Sequence, residues 1–151
     1  MLKRMVEIFV FVLGMHAAAC PQDKGFGLGI LIGEPTGVSG KAWISHRNAI
    51  DAGVAWSFRH KGFIHLHADH LWHFPDIIQS SEQFTLYTGI GGRLGVGRGD
   101  GVFGVRIAGG LALWPSHAPI EIFLELAPIL DLVPATELSA NGGIGVRFFF
   151  R

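Results

Sequence analysis

The sharpest chemical pattern in this chain is His65-x-His67-x-Asp69. Alternate positions of an extended strand share one face, so these side chains would present two imidazole nitrogens and a carboxylate together. That is a donor set for zinc or a similar ion. One strand rarely completes a coordination shell, so the pattern is a weak metal candidate with a plainer reading beside it. On the plainer reading the histidines join a dispersed set of charges: Lys41, Arg93, Arg106 and Arg147 against Asp51, Asp69, Glu121, Glu125 and Asp131. Four cations facing five carboxylates suit a narrow interior in which each buried charge needs a partner. The expectation is an ion-pair network of these nine residues with His65 and His67, with no metal and no cofactor.

Other candidates carry less. A hydrolase or acyltransferase needs a nucleophile beside a base and an orienting acid. Ser57, Ser45 and His46, with Glu121 or Glu125, supply the residue types, but no nucleophile motif surrounds them, and turn chemistry explains the serines as well. The expectation is that the chain is not an enzyme. Arg98-Gly99-Asp100 spells an integrin-type tripeptide, yet Gly97 to Gly101 is also what a glycine-rich hairpin turn looks like. The Gly-x-Gly runs between Gly89 and Gly97 lack the following helix that would hold a phosphate.

The elements that must position these residues are strands. Large apolar side chains alternate with glycine or polar residues over 26–32, 38–44, 50–58, 63–73, 84–96, 102–114, 120–132 and 141–150. Period-two alternation of this kind is a strand signal, and turn clusters such as Glu34-Pro35-Thr36-Gly37 separate the segments. Pro128 lies inside the seventh segment and predicts a bulge or local break, because it cannot donate to a ladder. In the last segment Ile144, Val146, Phe148 and Phe150 share one face; Asn141, Gly143, Gly145 and Arg147 share the other. Eight strands with short connections and no helical pattern predict an all-β, eight-stranded antiparallel up-and-down barrel, which leaves no unpaired edge.

Alternation does not by itself say which face points outward. A soluble lipocalin-like carrier would show water a surface rich in Lys, Glu, Ser and Thr, whereas here the polar face is glycine with sparse charges of both signs. The apolar face is therefore expected outside, in lipid. Trp56, Phe58, Trp72, Trp114, Phe148 and Phe150 stand near strand ends, as in the aromatic girdles of membrane barrels. His70, beside Trp72, is the one awkward member of the apolar face. An eight-stranded barrel has an interior that side chains just fill, and the glycines are expected to leave room there for the long arginines.

Composition agrees. The chain has 151 residues, 22 of them glycine, and a mean hydropathy of +0.39. Past the N-terminus no apolar run reaches the roughly 18 residues a membrane helix requires. Formal net charge is zero and there is no basic block, which argues against nucleic acid as a partner. A single cysteine excludes an intrachain disulfide framework. Lys3 and Arg4, the apolar stretch from Met5 to Met15 and Ala17-Ala18-Ala19 follow the order of an export signal. Residues 1–19 are read as signal peptide and 20–151 as the barrel domain. Cys20, directly after the alanines, is also placed like an acylation site, but Ala17 stands where such sites usually carry Leu.

The runs from Gly25 to Asp51 and from His65 to His73, and the stretch from Glu121 to Phe150, resemble a family of short bacterial outer-membrane β-barrel proteins of undefined function. Members are usually compared with the OmpA and OmpX transmembrane domains. The C-terminal Gly145, Phe148 and Phe150 resemble the signal read by the barrel-assembly machinery, although Arg151 follows. The resemblance implies an eight-stranded barrel in an outer membrane and brings no catalytic residues; outer-membrane lipid as a partner and a monomeric state are expected with it. The expected role is structural or surface interaction; the alternatives are a narrow channel, a small-solute-binding barrel or, with the faces inverted, the lipocalin-like carrier.

Overall fold

The structure, a computed structural model, describes residues 25–57, 62–97, 99 and 101–150. The proposed signal peptide, Cys20, Phe58, Arg98, Asp100 and Arg151 lie outside the described residues. Eight strands follow in order: β1 (Phe26–Glu34), β2 (Thr36–Trp43), β3 (Asn48–Trp56), β4 (Ile64–Phe74), β5 (Gln83–Val96), β6 (Val102–Trp114), β7 (Ile120–Val133) and β8 (Glu137–Phe150). Each pairs antiparallel with its neighbours in sequence, and β1 pairs with β8 to close the ring. That closing seam runs in unbroken register from Phe26–Phe150 to Glu34–Gly142. The fold is all-β and up-and-down, as the alternation predicts.

Strand boundaries move where local chemistry outweighs the pattern. The turn cluster after β1 reduces to Pro35 alone. Thr36, already in β2, accepts from the Gly33 amide at 3.2 Å and donates to the Gly33 carbonyl at 2.8 Å. β8 begins at Glu137 rather than Asn141, because β7 offers partners as far as Asp131–Glu137. Pro128 keeps its place opposite Ala140 on the β8 side. On the β6 side, paired positions run to Arg106–Ile129 and resume at Gly109–Leu126, and a separate register shift lies at Phe103/Gly104.

The pleat sorts side chains by parity. Ile32, Val54, Ile90, Leu126 and Ile144 point away from the barrel and are more than half exposed. Lys41, Asp51, Asp69, Arg106, Glu121 and Arg147 point inward and are buried. The wall is thus apolar outside and charged inside. His70 stands partly exposed on the outer wall, with its ring edge-on to Trp72 at 4.5 Å.

Candidate functional site

The interior is built in three layers. At the end where β1 begins and β8 ends, large rings fill the bore. Trp43 lies 4.4 Å from His73 and 6.2 Å from Trp114, Trp114 lies 4.9 Å from Phe149, and His73 stacks on Tyr87 at 5.5 Å. Leu71, Ala108, Ala112 and Phe123 belong to the same cluster as Tyr87, Trp114 and Phe149. Trp114 is only 4% exposed. Its assignment to the outer girdle is therefore corrected. Trp114 has the parity of Arg106, so the pleat turns it inward however close to a strand end it stands. Trp56 and Trp72 do face outward, and Phe148 and Phe150 are partly exposed. Phe26 and Phe74 join the outer aromatics at the ring-filled end.

Below the rings lies the ion-pair layer. Lys41 Nζ contacts Glu121 Oε1 at 2.5 Å and lies 4.8 Å above the Trp43 ring. Arg147 bridges Glu121 at 3.1 Å and Asp51 at 2.5 Å, and donates to Ser39 Oγ at 2.7 and 3.0 Å. Its guanidinium also stacks 3.8 Å from the centre of the Phe123 ring. Arg106 meets Glu125 at 2.6 Å, and Tyr87 donates to the same carboxylate at 2.9 Å. Arg106 Nε stands 2.8 Å from Asp69 Oδ2, an ionic contact not aligned as a hydrogen bond. Nearer the other end, Arg93 donates to Asp131 at 2.6 Å, and Ser139 reaches the same carboxylate at 3.3 Å. The low-dielectric interior makes each pair strong and each orphaned charge costly.

Among the described residues the third layer is open. A cavity of about 510 Å³ lies at the end where β1 turns into β2, with Glu34, Ser57, Phe63, His65, Arg93, Asp131 and Asn141 among its lining residues. Ser57 Oγ donates to Glu34 Oε1 across it. His65 belongs to this cavity wall, with its ring 4.9 Å from Phe63. The expected His65–His67–Asp69 trio is therefore rearranged. His67 and Asp69 meet Asp51 from β3, with donor atoms of all three within 4.8 Å of one another. Asp51 stands directly opposite Asp69 in the β3–β4 register, a cross-strand relation that reading one strand alone does not reveal.

The glycines also do something other than expected. They make room for rings more than for arginines: a Cβ at Gly145 would collide with Phe123, and one at Gly53 would meet the His67 ring at 2.5 Å. Among the serines considered for catalysis, Ser57 is engaged with Glu34, and Ser45 accepts from Asn48 at the opposite end at 2.8 Å. Glu121 and Glu125 are held by Lys41, Arg147, Arg106 and Tyr87. Sequence reasoning missed Trp43 and His73 as members of the ring layer. Both share the parity of charged interior residues on their own strands, Lys41 and Asp69, and that was the available signal.

None of the family models, curated proteins or solved structures compared with the chain matches it.

Proposed function

We propose that this chain is an outer-membrane β-barrel with a side-chain-filled, ion-paired interior and a structural or surface-interaction role. One observation carries the reading: an apolar outer wall encloses the paired charges, the inverse of a water-soluble barrel. An outward wall of Ile, Leu and Val costs little in hydrocarbon and a great deal in water. The lipocalin-like alternative needs a polar outer wall at those same positions. In this reading the barrel contacts outer-membrane lipid as a monomer, and Gly145, Phe148 and Phe150 present β8 to the assembly machinery. The resemblance to short outer-membrane barrels supports it.

The test is heat-modifiable mobility of the chain refolded in detergent micelles. A compact band that shifts on boiling, with β-rich circular dichroism, is the expected result. A monomer that stays folded and soluble without detergent would overturn the proposal.

A second reading, a small-solute-binding barrel, is favoured by the cavity at the open end. The ring layer of Trp43, His73, Tyr87, Trp114 and Phe149 stands across the far end of the bore and argues for a blind pocket over a through channel. Planar-bilayer recording separates the two: a blind pocket passes no single-channel current.

A further inference from the structure

We infer that Asp51, His67 and Asp69 form a binding site for one divalent first-row transition-metal ion, reached from the open end. Asp51 and Asp69 are 1% and 3% exposed and face each other across the β3–β4 ladder. Like charges directly opposed in a sheet repel unless something positive stands between them. Each aspartate spends one oxygen on an arginine: Asp51 Oδ2 on Arg147 and Asp69 Oδ2 on Arg106. The remaining oxygen of each, Oδ1, has no hydrogen-bond partner. His67 Nε2 lies 3.7 Å from Asp51 Oδ1, beyond hydrogen-bond length.

One imidazole nitrogen and one oxygen from each carboxylate stand within 4.8 Å of one another, and Arg147 and Arg106 hold the two carboxylates through Oδ2. That is how outer-shell groups orient metal ligands. Around an ion bound at about 2.1 Å, tetrahedral ligands stand roughly 3.4 Å apart, so side-chain rotations drawing these atoms in by about 1 Å would close the shell. The imidazole favours zinc-like ions over calcium or magnesium, and three protein ligands leave a position for water or an incoming group. Among the described residues the interior buries five Asp and Glu side chains against four Lys and Arg, an excess of one carboxylate.

A route exists. The open cavity is lined by His65 and Asn141, and Asn141 also lines a void of about 10 Å³ beside His67, Arg106 and Glu125. That void is about the size of one water molecule. The site deepens the solute-pocket reading and rests on it only for this route.

The test is Zn2+ retention by the refolded chain in micelles, measured by elemental analysis after dialysis, with the heat shift on a gel reporting folding separately. The expected result is about one Zn2+ per folded chain. His67→Gln and Asp69→Asn should each weaken binding by at least about 100-fold, and His65→Ala by less than about 3-fold. If either variant fails to fold, nitrogen-15 histidine spectra of the unaltered chain replace it, with one Nε2 resonance moving on Zn2+ addition and persisting in His65→Ala. No retained Zn2+ in a chain that shows the heat shift overturns the site while leaving the barrel reading standing. Equal retention by folded His67→Gln, or a moving resonance that vanishes in His65→Ala, also overturns it.

Discussion

The two ends of this barrel are held by different physics. At the ring-filled end Trp43, His73, Tyr87, Trp114 and Phe149 pack against one another and against Leu71, and the bore closes by burial. At the open end Arg93–Asp131, Ser139 and the Ser57–Glu34 contact line a cavity instead, and among the described residues few large side chains fill the space. Both ends use the same wall and short connections, so the difference lies in which residues occupy the inward parity near each rim. Large rings make a stopper; hydroxyls and charges leave a mouth. A fold of this kind can carry rigidity and access at opposite poles without changing its strand plan.

The ion-pair layer between the ends should show the largest effect. Arg147→Met leaves Glu121 and Asp51 buried with a lost partner and should cost about 3–5 kcal/mol in denaturant titrations of the micelle-refolded barrel. Full stability in that variant would mean the ends do not depend on the layer between them. Next come the rims themselves. Trp114→Ala opens a void among packed rings and should cost about 3 kcal/mol, whereas Phe63→Ala, at the cavity wall, should cost about 1 kcal/mol because its site is already partly open. Equal losses from the two would break the contrast. The smallest effect belongs to the exposed Arg47–Asp76 pair, 3.1 Å apart outside the ring-filled end. Arg47→Ala should change the free energy of unfolding by less than about 1 kcal/mol, since solvent screens such pairs.

Much of this was legible because a strand's period is two and the wall has only two faces. Alternation located all eight strands, and it placed Lys41, Asp51, Arg106, Glu121 and Arg147 on one side of the wall. Trp114 shows where another argument displaced parity: nearness to a strand end suggested a girdle, although its register with Arg106 already turned it inward. The start of β8 was hidden because Glu137 to Ala140 has no strong alternation, and pairing to β7 decides it. The Asp51–His67–Asp69 grouping was illegible for a different reason. It depends on the β3–β4 register, and a one-residue slip there would put Asp51 on the opposite face from Asp69.

The β1–β8 seam carries a consequence for how quickly the molecule can form. Ile30 meets Val146, 116 positions later in the chain, while the other seven seams join neighbours that can zip as hairpins. Bringing such distant partners together costs about 4 kcal/mol in loop-closure entropy if the intervening chain is slack. The cost falls as each hairpin shortens the remaining slack. Sealing should thus be the slow and final event, in one step. Residues such as Gly29 and Arg147, which meet across that seam, would then govern the time to completion more than the onset of folding.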